Sequence, residues 1–183
     1  IVFLFLYSIQ LVEIVLNFMS VQINYKTIRK KNSTNIVLFV DEKYSISTLR
    51  KFISNSEYSF ILDLLKTKDL KKKITYFDIN SKRKIILVSL KKNLKNSDAE
   101  NLGAKFYDLF SKLKQNEFVV NSDTLSNQKN NIIGHFLHGI KLKSYKFEKY
   151  KTKQNKHKIS IAVIGKNIPN IKNQLKFNAI EEG

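Results

Sequence analysis

Apolar and polar positions along the chain follow the two periods that distinguish strands from helices. Val21, Ile23 and Tyr25 alternate with polar residues, which predicts a half-buried strand. The continuous apolar run at residues 36–40 predicts a buried sheet strand, and residues 84–90, with four consecutive apolar residues at 85–88, predict the clearest buried strand of the chain. Further strands are predicted around Ile74, Tyr76 and Phe77, over residues 117–120, and over residues 159–164, where Gly165 ends the last strand.

Apolar residues spaced three and four apart predict helices between the strands. The helical stretches are residues 46–53 and 57–66, Ser126 to about Lys141, and the tail from Ile168 to Gly183, where Pro169 occupies a favoured early position. The buried stripes are predicted to comprise Phe60, Ile61, Leu64 and Leu65 in one helix and Ile133, Phe136, Leu137 and Ile140 in another.

A further helix is predicted to start at Ser97, which is a good N-cap residue. Glu100 stands three residues later, so the pair has the spacing of a capping box. The apolar face of this helix comprises Leu102, Phe106, Leu109, Phe110 and Leu113. Strands that alternate with helices predict an α/β fold in three layers, with a mostly parallel or mixed sheet covered by helices on both faces.

The first 18 residues are almost all apolar and contain no Lys or Arg. A signal peptide would need a basic start and a small-residue cleavage site, and neither is evident. A membrane-spanning helix would need about 20 apolar residues, whereas Gln10, Glu13 and Asn17 interrupt this run. We therefore expect residues 1–18 to be an apolar leader upstream of a natural start at Met19, and we expect no membrane partner.

The formal net charge of +18 is permissive for nucleic acid. However, 30 of the 33 basic residues are Lys, and Arg, the usual residue for bidentate recognition, is limited to Arg29, Arg50 and Arg83. Because Asn and Ile are also abundant, a solvated lysine surface is the favoured interpretation. The absence of Cys excludes disulfides, thiolate metal sites and cysteine nucleophiles.

Candidate chemical groups are few. The sequence has no glycine-rich phosphate loop and no nucleophile elbow. His135 and His138 share a helix face, but a metal site would need a further ligand and acids near them in the sequence are sparse, so a partly exposed or capping pair is expected rather than a metal site. Asp98 and Glu100 are expected to act at a helix start, where acids are favoured by the helix dipole.

Aromatic residues and lysines interleave between Tyr145 and Lys153. Such a pattern can stack on single-stranded nucleic acid, and it also suits a connector whose aromatic side chains dock on the core. The connector is the favoured interpretation.

The same region resembles the M17 leucyl aminopeptidase family. The matching positions are Gly139, Tyr145, Phe147, Tyr150, Lys151 and Thr152, which follow the family pattern of a glycine-containing helix end and then Y-x-F-x-x-Y-K-T. Residues 83–92 are similar to the family strand before a glycine turn, although Ser89, Leu90 and Lys91 replace the glycines. Asn101-Leu102-Gly103-Ala104 and the end of the chain at residues 179–183 also resemble family segments.

The resemblance implies that residues 19–166 form the family's macro-domain-like N-terminal domain and that residues 167–183 form a helix leading to a catalytic domain outside this chain. The family's cytoplasmic enzyme removes N-terminal residues from peptides with two divalent metals, zinc or manganese, and forms a hexamer. Its metal ligands and catalytic residues lie in the C-terminal domain. No catalytic, cofactor-binding or metal-binding residue is therefore assigned in this chain, which we expect to be inactive alone.

Two other functions stay open from the sequence. The charge suits an accessory module that binds DNA or another nucleic acid. The macro-domain-like fold suits a binder of ADP-ribose, although the missing glycine-rich loop argues against that function.

Overall fold

Strands and helices alternate through the described part of the computed structural model, which comprises residues 21–25, 35–113, 116–125, 131–145 and 158–182. The strands are β1 (Val21–Tyr25), β2 (Asn35–Asp41), β3 (Ile74–Asn80), β4 (Arg83–Leu90), β5 (Glu117–Asn121) and β6 (Ile159–Ile164). The helices are α1 (Asn55–Leu65), α2 (Asn96–Phe110), α3 (Ile132–Ser144) and α4 (Ile171–Glu182), with short 3-10 helices at Ser47–Lys51 and Ser122–Thr124.

The six strands form one mixed sheet with the order β1-β6-β5-β2-β4-β3. All neighbouring pairs are parallel except β3 and β4, which are antiparallel and joined by a tight hairpin. The prediction of an α/β fold with a mostly parallel or mixed sheet is therefore confirmed. The β2 strand lies in the middle and pairs with both β4 and β5.

Alternate residues of β2 enter two separate cores, one on each face of the sheet. Val37 and Phe39 pack with α2 and α3 in the larger core, whereas Ile36, Leu38 and Val40 pack with the first 3-10 helix and α1 in the smaller core. A strand that is buried on both faces explains the continuous apolar run in the sequence. The predicted cover on both faces of the sheet is confirmed.

Asn35 fixes the start of β2 against both of its neighbours. Its Nδ2 donates to the carbonyl of Glu117 in β5 at 3.0 Å, and its Oδ1 accepts from the N–H of Lys84 in β4 at 2.9 Å. The Asn35 residue is almost fully buried, so the two hydrogen bonds satisfy the polar atoms of its own amide.

The larger core depends on a very close crossing of α2 and α3. A Cβ atom on Gly139 would stand 2.0 Å from the carbonyl oxygen of Glu100, and one on Gly103 would stand 2.0 Å from that of Phe136. Only glycine at both positions allows the two backbones to approach this closely. The rings of Phe106 and Phe136 then meet at 5.8 Å between centroids beneath the crossing.

On the opposite face, α1 is capped by Ser54 and tied to the sheet by an ion pair. The hydroxyl of Ser54 accepts from the N–H of Glu57, and the Glu57 carboxylate accepts from the N–H of Ser54, which makes a capping box. Arg83 Nε lies 2.6 Å from Glu57 Oε1, with little of either side chain exposed. Burial has the largest single effect and raises the pKa of Glu57, but the hydrogen bonds with Arg83 and Ser54 and the charge of Arg83 together outweigh it, so the net pKa is lowered.

Several sequence predictions of detail are wrong. The N-cap of α2 is Lys95 rather than Ser97, because the Asp98 carboxylate accepts from the Lys95 N–H at 3.4 Å. Phe60 and Leu109 are 44% and 47% exposed, so neither belongs to a buried stripe. Residues 46–53, which were predicted to be helical, contain a short 3-10 helix at Ser47–Lys51.

The α3 helix is described from Ile132 onward, and its predicted start at Ser126 lies among residues 126–130, which are outside the described residues. The α4 helix starts later than the predicted Ile168. The α4 helix starts at Ile171 because Asn170 Oδ1 accepts from the N–H of Asn173 at 2.9 Å, which places Pro169 before the cap. Residues 1–18 lie outside the described residues, and no helix within the described ranges is long and apolar enough to cross a membrane.

Candidate functional site

The carboxyl ends of β2 and β5 border the crevice where open α/β sheets usually bind ligands. The connection after β2 leads to α1 on one face, whereas the connection after β5 leads to α3 on the other, so the strand order reverses here. The ladder between β2 and β5 runs only from Asn35 to Val37 on the β2 side, and beyond it the two strands separate.

Thr124 fills the gap between the separated strands. Its Oγ1 accepts from the N–H of Phe39 at 2.9 Å and donates to the carbonyl of Asn121 at 2.8 Å. The N–H of Phe39, which could otherwise donate to a ligand in the crevice, is therefore satisfied by the chain itself. The N–H of Asp123 is likewise used, since it donates to Asn121 Oδ1 at 3.0 Å.

The end of β6 closes the same crevice from the other side. Gly165 has a φ of +109°, and a Cβ atom there would stand 2.5 Å from Ser122 Oγ and 2.8 Å from Asp123 Oδ1. The Asp123 carboxylate accepts from the N–H of Lys166 at 2.7 Å. Ser122 Oγ is buried without a hydrogen-bond partner, so it is the polar group left unsatisfied in this part of the crevice.

On the β2 side of the crevice, the backbone N–H groups of the turn after β2 also donate to an oxygen of the same turn. The N–H groups of Ser45 and Lys43 donate to Asp41 Oδ1 at 2.9 and 3.0 Å, and the bond from Ser45 contributes most to lowering the pKa of Asp41. Tyr44 has a φ of +56°, its hydroxyl donates to the Lys72 carbonyl, and burial raises the pKa of this phenol.

A groove of about 250 Å³ lies between β1, α3 and α4. Its walls include Tyr25, His138 and Phe177, with Lys141 and Gln174 at its polar side. The Phe177 ring lies 5.1 Å from the ring of His135 and 5.3 Å from that of His138, measured between centroids. These contacts join α4 to α3.

The two histidines have separate environments. His135 Nδ1 lies 2.7 Å from Glu100 Oε1, so Glu100 links α2 to α3 rather than capping its own helix. His138 is buried, and the expectation of partial exposure is wrong for this residue. Within the described ranges, no group of three or more His, Cys, Asp or Glu side chains could hold a metal ion.

Asp98 does act at a helix start, as predicted, through its contact with the Lys95 N–H. Tyr145 is 71% exposed, so the prediction that it docks on the core is wrong. Residues 146–153, which include the other aromatic residues of that pattern, lie outside the described residues. Ser122, Thr124 and Asp123 had no motif that could identify them, because they meet Phe39 and Lys166 only after folding.

Comparisons with known proteins identify this fold. A mutant leucine aminopeptidase of tomato is similar with a TM-score of 0.64 and 15% identity, covering 88% of this chain and 36% of that chain. The cytosol aminopeptidase of Coxiella burnetii is similar at 0.52 and 13%, covering 86% and 31%. The macrodomain of Thermus aquaticus DarG is similar at 0.52 and 7%, covering 80% and 99%.

The chain thus spans about a third of the length of the two aminopeptidases and nearly all of the macrodomain. No protein-family model matches the sequence, and no curated protein matches it. At identities this low, the similarity establishes the fold alone. The predicted macro-domain-like architecture is confirmed, and the structural neighbours of the chain include leucine aminopeptidases.

Proposed function

We propose that this chain is the N-terminal, non-catalytic domain of a cytoplasmic enzyme of the leucyl aminopeptidase type, which removes N-terminal residues from peptides. In this proposal the described sheet is a scaffold. Hydrolysis takes place in a C-terminal domain of the same polypeptide that carries two divalent ions, zinc or manganese. The N-terminal domain contributes contacts to a hexamer of the full-length enzyme.

The observation that carries the proposal is the extent of the similarity to the tomato enzyme. The match covers 88% of this chain but 36% of that one, so the shared fold corresponds to one part of a longer protein. The macrodomain of DarG has a lower TM-score, 0.52 against 0.64. The sequence pattern from Gly139 to Thr152 supports the same family independently of the fold.

The donor groups of the described residues do not fit the two-metal centre of the proposed parent enzyme. Such a centre needs several carboxylates that converge on two ions about 3.5–4 Å apart. In the described residues, Glu57 binds Arg83, Glu100 binds His135, and Asp123 binds a backbone N–H. We therefore derive no hydrolytic step from these residues, and in the proposal the metal chemistry belongs to the other domain.

The closed crevice argues against ADP-ribose as the ligand. A diphosphate needs several backbone N–H groups that are free to donate. Around this crevice, the N–H groups of Phe39, Asp123 and Lys166 already donate to the chain's own oxygens. A scaffold function accounts for this arrangement, because satisfied polar groups stabilise the fold without a ligand.

The decisive experiment compares the 183-residue chain with the product of its gene read onward past Gly183. We expect the longer product to release leucine from a leucyl chromogenic peptide with Mn²⁺ or Zn²⁺, and to lose this activity in a chelator. The shorter chain should release none under the same conditions. Metal-dependent release of leucine by the shorter chain would contradict the proposal.

A second measurement separates the scaffold from a nucleotide-binding module. Titration of the 183-residue chain with ADP-ribose in a calorimeter should give no heat of binding. Saturable heat of binding would overturn the scaffold function. If Gly165→Ala abolished that heat and Leu175→Ala, at an exposed position, retained it, the ligand would lie in the crevice.

A further inference from the structure

The outer edge of β3 has no neighbouring strand in the described part of the chain. The β3 strand is last in the strand order, and its partner there is β4. The N–H of Ser89 donates to the Lys73 carbonyl at 2.8 Å, so the backbone carbonyl of Lys73 faces β4. Because backbone groups alternate in direction along a strand, the N–H and C=O groups of Ile74, Tyr76 and Asp78 point away from β4. This edge can therefore pair with an extended segment of another chain.

The edge is regular over the length that a short peptide needs. The register of β3 against β4 is unbroken from Ile74 to Asp78 and shifts only between Asp78 and Asn80. At about 3.4 Å per residue, this stretch gives roughly 17 Å of regular edge. A bulge can turn a sheet edge away from a partner, but this one lies at the hairpin end of the strand. The geometry of the edge thus permits an added strand.

An exposed apolar surface lies beside this edge on the face that α2 covers. Tyr76 is 43% exposed, and its ring lies 5.7 Å from that of Phe110 in α2, measured between centroids. Leu109 is 47% exposed and lies half a turn around the helix from Glu100, at about 100° per residue. Glu100 contacts α3, so Leu109 is on the side of α2 away from α3. Apolar side chains of an added strand can cover Tyr76 and Leu109.

Lysine side chains approach the edge from both faces of the sheet. Lys68 Nζ lies 5.5 Å from the centroid of the Phe77 ring. Successive residues of a strand point to opposite faces, so Phe77 and Lys68 are on the face opposite Tyr76. On the face of Tyr76, Lys84 Nζ lies 5.6 Å from the centroid of the Tyr76 ring, and it is paired with Asp78. An added strand would therefore meet positive charge on the Lys68 face and mainly apolar surface on the Tyr76 face.

The charge around the edge is positive on balance. The lysines of the segment before β3 and of the neighbouring strand are Lys68, Lys71, Lys72, Lys73 and Lys84. The acids among them are Asp69, Asp78 and Glu42, and two of these are already paired, Asp78 with Lys84 and Glu42 with Lys73. Five lysines against three acids leave an excess of positive charge, which attracts acidic side chains.

These features favour a peptide over other occupants. A peptide strand supplies both donors and acceptors to the outward N–H and C=O groups, whereas phosphate groups supply acceptors alone. A second copy of this chain would bring the same lysines against each other, and like charges on adjacent strands are destabilising. An acidic peptide avoids that repulsion.

We propose that the outer edge of β3 binds an extended acidic peptide by strand addition. Alternate apolar side chains of the peptide cover Tyr76 and Leu109, and the acidic side chains between them face Lys68. Main-chain hydrogen bonds supply affinity, and the alternation of side chains supplies specificity. The inference rests on the register of β3 against β4 and does not depend on the aminopeptidase proposal.

The probe is a fluorescein-labelled peptide of about seven residues in which valine and glutamate alternate. Its binding to the full 183-residue chain is measured by fluorescence anisotropy. We expect saturable binding that weakens as salt is added, because salt screens the lysines. A matched peptide with lysine in place of glutamate should bind at least about tenfold more weakly.

Two N-methylated forms of the acidic peptide separate strand addition from charge attraction. One form carries methyl groups on the valine amides, and the other carries them on the glutamate amides. Alternate N–H groups point to opposite sides of a strand, so only one form loses the donors that face β3. That form should bind at least about tenfold more weakly, and the other should stay within about threefold of the parent peptide. Equal affinities of the two forms would contradict strand addition.

Variants of the chain locate the peptide. Lys68→Gln and Leu109→Gln, both at exposed positions, should each weaken binding about three- to tenfold. The matched controls Lys172→Gln in α4 and Leu142→Gln in α3 are also exposed and should stay within about twofold of the wild type. Tyr76→Pro removes an outward N–H at a position where an edge strand tolerates proline, and it should abolish binding. Thermal unfolding checks that each variant is folded.

Three results would overturn the proposal. The first is absence of saturable binding of the acidic peptide by the wild-type chain. The second is equal weakening by Lys68→Gln and Lys172→Gln, which would mean that net charge alone attracts the peptide. The third is a dimer of the wild-type chain in sedimentation equilibrium that Leu109→Gln weakens and Leu142→Gln does not, which would identify a second copy as the occupant of the edge.

Discussion

The α3 helix is attached to its two neighbouring helices in opposite ways. Against α2 the contact is between backbones, since Gly139 faces the Glu100 carbonyl with no space for a methyl group. Against α4 the contact depends on one ring. Among residues 171–177 of α4, Phe177 is the one residue that is buried. Ile171 and Leu175 of α4 are 75% and 62% exposed.

The difference indicates which part of the molecule can change without loss of the fold. A backbone contact tolerates no added volume, because neither partner can move independently of its helix. A single aromatic contact can open locally, since the other large apolar side chains of residues 171–177, Ile171 and Leu175, are exposed. The α2–α3 pair therefore belongs to the stable body of the fold, and α4 is an attachment to it.

The largest expected effect comes from Gly139→Ala. The new methyl group would overlap the Glu100 backbone, so the helices must separate, and we expect a decrease of about 3 kcal/mol or more in the free energy of unfolding. Urea denaturation followed by circular dichroism measures it. Gly134→Ala is the matched control, because its close contact is the movable Phe177 ring, and it should cost about 1 kcal/mol. Equal decreases in both variants would contradict the contrast between the two contacts.

Phe177→Ala should destabilise α4 alone. We expect stability to fall by about 2 kcal/mol, below the range for a ring at the centre of a core, together with faster amide hydrogen exchange confined to α4. Leu175→Ala, on the exposed side of the same helix, should change neither quantity. Faster exchange throughout α2 and α3 would show that α4 is part of the stable body.

Glu57→Gln tests the attachment of α1, which uses an ion pair in place of close packing. We expect a decrease in stability of about 1.5 kcal/mol near neutral pH, because the hydrogen bond to Arg83 loses its charge. The lowered pKa of Glu57 means that its contribution is present above the ordinary value of 4.5 and is lost as pH falls through the folded-state value.

Urea denaturation of the wild type and Glu57→Gln as a function of pH provides the check. The stability difference should be constant near neutral pH and should shrink in acid below the ordinary pKa. Asp63→Asn on the same helix is the control, since Asp63 and its partner Lys66 are both exposed and contribute little. A difference that does not change with pH would contradict the role of the Glu57 charge.

The smallest effect is expected at the start of the connection that leads from β5 to α3. Ser122→Ala removes a buried hydroxyl that has no partner, so stability should be unchanged or should rise by up to about 1 kcal/mol. Thr124→Val removes a hydroxyl with two hydrogen bonds and should cost about 1–2 kcal/mol. Thermal unfolding distinguishes them, and a clear decrease in stability for Ser122→Ala would reveal a partner for its hydroxyl.

Periodicity in the sequence predicted every described strand and the position of most helices, because burial on one or both faces leaves a direct pattern. It did not predict which strands are neighbours or which helices cross. The Glu100–His135 contact joins residues 35 positions apart, and Glu100 has local capping spacing that points elsewhere. Whether Lys95 or Ser97 is the N-cap also depends on where the chain leaves β4, and no local sequence pattern predicts that point.

The site was less predictable than the fold. Ser122, Thr124 and Gly165 acquire their roles from the separation of β2 and β5, and strand separation has no sequence signature. Phe60 and Leu109 show the converse limit. Both have helical spacing and apolar side chains, yet they face solvent in the described structure, because periodicity gives a face but not its width.

The amide of Asn35 has a consequence for how this sheet assembles. A shift of β2 by one residue would turn Val37 and Phe39 to the opposite face, and it would also remove both hydrogen bonds of the Asn35 side chain. Misaligned pairings on either side of β2 are thus penalised together by one side chain. The central strand acts as the common reference for β4 and β5, so an error on one side cannot persist while the other side is correct.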